Sequence, residues 1–434
     1  MIQSLSVDRP VGGEEVSEQL VSQARLVLGV AKILFENGQS TDQTVVTATR
    51  LARALDLDVT IIPRWGELQL VGSTGDGRAL EAIAANPTGI NMDRVAAASS
   101  LCDDLVESRR TADAAMPTLA TIAARPPAPT WQFALAAAAA AVALAVIFGI
   151  QHASSAIIIF LSAGAGALLR RRLAPLSGNL FLQPFCASLL SGVVGALAVR
   201  YHLSSSLRLV AVCPCMVLVP GPHVLNGMMD LIRGRVALGA SRLLYATLII
   251  AAITAGLLLG FAFFGISLPV DPQAPPVPLW MDMLASGVAV AGYAIFFSMP
   301  PSMMAWPVAV GVVAHGVRWG ALELGQGVTM GALLACVVVG IALTLIARRR
   351  HMPFAAIGFA AVVSMVPGVF IFRMASGLLL VGADPTGSSE LLADAIGNGI
   401  TATTIIFAMS LGLIVPKLII DQLDGGSFGK GSPR

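Results

Sequence analysis

The chain has 434 residues, of which 56% are hydrophobic and only 12% charged, with a formal net charge of +2. A soluble chain is about a quarter charged, so this composition excludes an ordinary soluble protein and leaves no basic excess with which to hold nucleic acid. Acids outnumber bases up to residue 130 and bases outnumber acids after it, which divides a soluble part from a membrane part.

The N-terminus, MIQSLSVDRPVGGEEVSEQL, is polar and has no apolar run of the kind a cleaved signal peptide needs, so the first part is expected to stay in the cytoplasm. From Val16 to Asn37 apolar residues recur at helical spacing, and Gly38 stands at a C-cap position. A second helix is predicted over Thr41 to Leu55. VTIIPRW and ELQLVGS, parted by Gly66, alternate like a hairpin. A link through Asn86 and Pro87 leads to two further helices, NMDRVAAASSLCDDLVESRR and TADAAMPTLATIAAR, before RPPAP stops the domain. The domain, residues 1–128, contains no histidine, nucleophile elbow or phosphate-binding glycine loop. Asp103 and Asp104 are adjacent and so diverge on a helix. A regulatory, gating or assembly role is expected here.

Apolar windows of span length follow near residues 131–150, 154–169, 180–199, 207–229, 236–265, 279–298, 302–317, 325–347, 353–381 and 391–416, the second and seventh being short. Ten spans return the C-terminus to the cytoplasm. Arg170, Arg171, Arg172, Arg233, Arg235, Arg242, Arg348, Arg349, Arg350 and Lys417 then fall on the cytoplasmic side, against Arg200, Arg208 and Arg318 outside, as the positive-inside rule requires. His315 and Glu323 fall in the outer loop region and are expected to be solvated. Residues 422–434 read as a flexible tail.

Span four holds MVLVPGPHVLNGMMDLIRG and span nine VSMVPGVFIFRMASGLLLV, so VPG recurs at 219–221 and 366–368. Equivalent helices five spans apart cross in opposite directions, which predicts two inverted five-helix repeats, residues 129–268 and 279–421, the build of many secondary transporters. At about 1.5 Å per residue, Pro220 lies roughly 15 Å below Val210, near the midplane of a core about 30 Å thick. Pro220-Gly221 and Pro367-Gly368 can each break a helix and free backbone dipoles for a cavity, where a plain proline kink is the other reading.

Several polar residues are candidates to act at these breaks. Asn226 and Arg373 stand at the same offset after the two prolines. An arginine in that position costs about 2.5–3.5 kcal/mol, so it faces a cavity where it can clamp a carboxylate, or else snorkels outward. Asn226 can hold a zwitterion or bond a neighbouring helix. His223 can carry a proton or join two helices. Asp230 is expected to pair with Arg233 at the interface and is also a candidate for the proton. Asp394, Asn398 and Thr401 share a helical face that lines the cavity or simply packs, Asp394 also being a candidate for the proton. The five cysteines (Cys102, Cys186, Cys213, Cys215, Cys336) are scattered and read as packing residues, with no metal site or cofactor. SAGAGALL, SGVVGALA, TAGLLLG and GQGVTMGALL let helices approach closely.

The whole chain resembles the threonine/serine exporter family, the ThrE type. The resemblance rests on LVLGVAKILFENGQSTDQTVVTATRLARAL, GINMDRVAAASSLCDDLVESRR, TLATIAARPPAPTW, VPGPHVLNGMMDLIRG with GASRL, and the second VPG half. It implies a fusion of two components that relatives carry separately, and export of threonine and serine from the cytoplasm, driven by the proton gradient across the inner membrane. It carries over Pro220, Gly221, Asn226, Asp230, Pro367 and Gly368, and leaves His223 and Arg373 to the physical argument alone. A dicarboxylate exporter and a metabolite sensor remain alternatives, and a membrane hydrolase is disfavoured by the empty motif inventory. Implied partners are the small substrate, protons, the lipid bilayer and a second copy of the chain in a homo-oligomer.

Overall fold

The structure is a computed structural model and describes residues 18–74, 77–201, 203, 207–266, 277–350, 352, 354–383 and 389–428. It opens with α1 (Glu18–Glu36) and α2 (Thr41–Ala54). Ala24, Val27, Leu28, Ala31, Leu34 and Phe35 of α1 are all buried, as their spacing predicts. Burying a side chain such as Leu34 contributes about 1.5–3 kcal/mol. Gly38 ends the helix at φ +99°, a conformation that costs glycine little. Ser40 caps α2 by accepting a hydrogen bond from Gln43 N.

Three antiparallel strands follow, β1 (Asp58–Arg64), β2 (Gly66–Thr74) and β3 (Gly77–Ala85), in the order β1-β2-β3. The sequence predicts the first two and takes the third for part of a link. GRALEAIAA is rich in helix formers, but Leu70 pairs with Glu81 and Val71 with Leu80 along β2, and the strand packs on α1. Tertiary pairing overrides its weak local preference. The helices α3 (Met92–Val106) and α4 (Ala112–Ala123) complete these N-terminal elements.

The remaining chain is helical: α5 (Thr130–Ile147), α6 (Ala153–Leu173), α7 (Leu182–Arg200), α8 (Leu207–Met216), α9 (Gly221–Ile232), α10 (Val236–Ala262), α11 (Leu279–Phe296), α12 (Pro301–Glu323), α13 (Val328–Arg350), α14 (Phe354–Val362), a 3-10 turn (Val363–Met365), α15 (Gly368–Ala383) and α16 (Ser389–Phe428). Seven of these are long and apolar enough to cross a membrane, and up to nine spans result if each of two bent pairs counts as one. The bent pairs are α8 with α9, at 57°, and α14 with α15, at 55°. The chain is therefore a polytopic helical membrane protein. The windows predicted to be short are full helices of 21 and 23 residues, α6 and α12. α12 carries Pro307, His315 and Arg318 and is less apolar than the seven. α16 runs on to Phe428, so the expected tail begins as helix, and residues 429–434 lie outside the described part.

The packing among α5 to α10 recurs among α11 to α16. α5 meets α6, α6 meets α7, and α8 lies against α5, α6 and α7; α11, α12, α13 and α14 repeat each of these contacts. α7 pairs with α10 as α13 pairs with α16, and α9 with α10 as α15 with α16. Both long pairs cross closely through glycines. A Cβ at Gly260 would lie 2.7 Å from Leu189 O, and one at Gly340 2.6 Å from Gly412 O. The two halves join through α5 and α11.

The N-terminal elements are seated on the membrane helices through specific polar contacts. Met92 N donates to Phe297 O at 2.8 Å and Asp93 N to Ser298 O at 3.0 Å. The free N–H groups that begin α3 thus satisfy carbonyls left free just beyond α11.

Candidate functional site

Each VPG makes the same backbone turn. Gly221 N donates to Val219 O at 2.8 Å, and Gly368 N to Val366 O at 2.7 Å. Pro220, at φ −78° and ψ 58°, has the values of an inverse γ-turn. The helices are therefore broken, and the simple proline kink is set aside. The two breaks also abut. A Cβ on Gly221 would stand 3.4 Å from Val363 Cγ2 and 3.5 Å from Val366 Cγ2, and one on Gly368 3.3 Å from Met216 Cγ.

Beside the first break is a cavity of about 350 Å³. Arg170, Gln183, Val217, Leu218, Pro220, His223 and Tyr245 line its membrane side, and Thr88, Gly89 and Ile90 bring the N-terminal elements to its rim. Val217 and Leu218 lie between the ends of α8 and α9, and among the described residues no hydrogen bond reaches their carbonyls. Arg170, in the last turn of α6, sets its guanidinium 5.5 Å from the Phe296 ring centroid and 6.0 Å from that of Phe133. The buried side-chain polar atoms left without a hydrogen-bond partner among the described residues are Ser162 Oγ, Arg170 Nε and Nη1, His223 Nδ1, Asn226 Oδ1 and Arg242 Nε. Of these residues Arg170 and His223 line the cavity, whereas Asn226 and Arg242 lie beyond it, against Gly38 and Asp230. Buried polar groups are nearly always paired, so the unpaired atoms of Arg170 and His223 single out this cavity as the candidate site. Arg170 was read from the sequence as a topology charge only, and nothing in one sequence separates it from Arg171 and Arg172.

Beyond the cavity, α9 presents its next turns to the N-terminal elements. The Asn226 amide donates to Gly38 O at 3.3 Å. Asp230, 2% exposed, accepts from Thr41 Oγ1 at 2.9 Å and lies 3.1 Å from Arg242 Nε and 3.4 Å from Arg235 Nη1. The Arg242 contact is an ion pair without hydrogen-bond alignment at Nε. Arg233 pairs instead with Asp42, at 2.6 Å. The expected interfacial pair of Asp230 with Arg233 is thus replaced by a buried one. Arg242, expected at a solvated span end, is 1% exposed in the second turn of α10, with its guanidinium 5.1 Å from the Phe35 ring centroid.

The second break is equipped differently. His315, expected in a solvated outer loop, is fully buried because α12 continues to Glu323. Its Nδ1 lies 3.0 Å from Asp282 Oδ2 of α11, and its Nε2 lies 2.9 Å from Ser364 Oγ in the 3-10 turn preceding Val366-Pro367-Gly368. A cavity of about 40 Å³ beside this break is lined by Ser364, Pro367, Gly368 and Arg318. Glu323 is exposed, as expected. Arg373 is exposed on α15. Asp394 is exposed, the Asn398 amide donates to Asp394 O, and the Thr401 hydroxyl to Gly397 O. None of these four lines the cavity at either break.

Elsewhere the polar side chains hold the fold together. Asp103 is bound to Arg50 while Asp104 turns to Arg109, so they are no acid/base pair. Burial pushes the Cys102 thiol up from its ordinary value, as befits a packing cysteine.

A helical membrane protein with two matched helix breaks, one of them opening on a cavity of small-molecule size, has the build of a membrane transporter. The chain belongs to the threonine/serine exporter family: residues 25–264 match the model described as "Putative threonine/serine exporter", and residues 282–419 the model described as "Threonine/Serine exporter, ThrE". Family membership makes it an exporter and not an enzyme. It is similar to a "Probable threonine/serine exporter" of Mycobacterium tuberculosis, 24% identical over 403 residues that cover 86% of this chain and 74% of the relative. No solved structure matches.

Proposed function

We propose that the chain exports threonine and serine from the cytoplasm across the inner membrane, driven by inward movement of protons. The observation that carries the substrate class is that one cavity is lined by Arg170 and by Val217 and Leu218, whose carbonyls accept no hydrogen bond from the backbone among the described residues. A guanidinium fork suits a carboxylate and a pair of carbonyls suits an ammonium group, so the cavity offers both ends of an amino acid a partner. His223, Gln183 and Tyr245 supply polar atoms for a side-chain hydroxyl. Pro220 and Gly221 keep the carbonyls free, and Asn226 joins the site to the N-terminal elements.

In this reading the chain has ten spans arranged as two inverted repeats, residues 129–268 and 279–421, with the second break, Pro367 and Gly368, as the counterpart of the first. The recurring helix contacts and the shared turn support that arrangement. Residues 1–128 form a cytoplasmic domain that rims the cavity and, with the C-terminus, lies on the cytoplasmic side.

Counterflow in proteoliposomes with labelled threonine, serine and succinate tests the reading. Threonine and serine are expected to exchange and succinate to stay out. Movement of succinate without either amino acid would overturn the assignment.

A further inference from the structure

The exporter reading requires a group that takes up a proton and alters the pathway when it does. Asp282, His315 and Ser364 are 3%, 0% and 4% exposed, on three different elements brought together at the second break. An ionisable residue within a membrane span is costly and marks function by default. Here a carboxylate, an imidazole and a hydroxyl form one continuous line, and the line ends two residues before Val366. The other candidates for the proton are differently engaged: His223 lines the cavity at the first break and its Nδ1 has no hydrogen-bond partner among the described residues, Asp230 is held by Thr41, Arg235 and Arg242 in the seat of the N-terminal elements, and Asp394 is exposed.

Resting on the exporter reading, we infer that His315, oriented by Asp282 and bonded to Ser364, is the proton-carrying site of transport and hands its protonation state to the second helix break. With neutral imidazole, Nδ1–H donates to the Asp282 carboxylate and Nε2 accepts from the Ser364 hydroxyl. When a proton is taken up at Nε2, that nitrogen becomes a donor, and the direction of the Ser364 bond reverses. The Ser364 hydroxyl proton then turns to a backbone carbonyl near the break. The Asp282 carboxylate balances the imidazolium charge, and release of the same proton from Nε2 restores the first state. Only an N–H bond is made and broken, and two hydrogen bonds at the break are exchanged.

The charged and titratable surroundings are few. On its own helix His315 has Arg318, one turn on, which also interacts electrostatically with Asp282. α11 contributes Asp282, and the turn contributes Ser364. α14 has no ionisable residue, and α13 has only Cys336 between Val328 and Arg348. Arg318 and Ser364 both line the small cavity at the break, so the fixed cation stands where the added positive charge is felt.

The test separates coupling from transport. The full chain and its His315→Gln variant are reconstituted in vesicles, and two quantities are measured: threonine counterflow at equal pH, and threonine accumulation driven by an acidic lumen, with protons leaving as the amino acid enters. Glutamine keeps a donor and an acceptor in the place of the imidazole, so counterflow is expected to stay within about twofold, while driven accumulation falls at least tenfold. A purely structural role would lower both together. Accumulation by the variant equal to that of the native chain overturns the proton assignment, as does a native chain that exchanges threonine without responding to the pH gradient. If His315→Gln does not fold, Ser364→Ala decides: driven accumulation falling at least threefold with counterflow preserved supports the assignment, and unchanged accumulation overturns it. A native chain that exchanges neither threonine nor serine overturns the exporter reading itself, a separate result.

Discussion

The two helix breaks share one backbone turn and differ in everything attached to it. At the first, Arg170, His223, Val217 and Leu218 line a cavity of about 350 Å³, rimmed by Thr88, Gly89 and Ile90. At the second, Asp282, His315 and Ser364 satisfy one another and leave about 40 Å³. A site that receives a molecule needs groups left unpaired until it arrives, whereas a site that receives a proton needs groups already in line. In the proposed reading the two breaks thus take separate tasks, and their close approach gives a route by which a change at one would reach the other.

The largest effect is expected where the first break meets the N-terminal elements. Removing one member of a buried ion pair leaves an uncompensated charge and costs about 3–5 kcal/mol. Arg242→Met leaves the buried Asp230 only Thr41 and the longer 3.4 Å contact with the half-buried Arg235, and the thermal unfolding temperature of the detergent-solubilised chain is expected to fall by several degrees. The double variant Arg242→Met with Asp230→Leu is expected to recover most of it. If the single substitution left stability unchanged, the seat of the N-terminal elements on α9 would not depend on this pair. Next comes the cavity itself. Arg170→Gln removes a charge-assisted bond of about 1.5–3 kcal/mol, so the half-saturating threonine concentration in counterflow is expected to rise roughly ten- to a hundredfold at constant protein stability. An unchanged value would move the carboxylate elsewhere and erase the contrast between the breaks.

Much of this contrast was hidden in the sequence for identifiable reasons. The broken helices were legible, because proline and glycine act on the backbone locally wherever they stand. Each apolar window likewise corresponds to a helix or a bent pair, although α12, the helix of the seventh window, is not apolar enough to count among the seven to nine spans. His315 was misplaced because Pro307, His315 and Arg318 dilute the apolar pattern of α12 and make its window end early. Its partners lie 33 and 49 residues away in the chain, and one sequence contains no signal that joins them. Arg170 shows the opposite difficulty: it looks like its neighbours Arg171 and Arg172, and only the position of α6 beside the first break turns it toward the cavity. Arg373 drew notice because it follows Pro367 as Asn226 follows Pro220, yet a matched offset does not place two side chains alike when the surrounding helices differ.

The smallest effect tests the join between the breaks. Tyr293 of α11 is 2% exposed and its hydroxyl donates to Met216 O at 3.4 Å, a carbonyl at the end of α8 that also accepts from Val219 N. α11 carries Asp282 at its other end, so Tyr293 links the helix that orients His315 to the edge of the first break. Tyr293→Phe keeps the ring and removes one long hydrogen bond, whose net contribution is at most about 1 kcal/mol. Since the acceptor keeps its backbone partner, stability is expected to change little. If the breaks communicate through α11, accumulation driven by the pH gradient falls by a small factor, about two- to fivefold, with counterflow unchanged. Equal loss of both would assign Tyr293 to the shape of the substrate cavity, and no loss of either would leave the direct contact of Gly221 with Val363 and Val366 as the route between them.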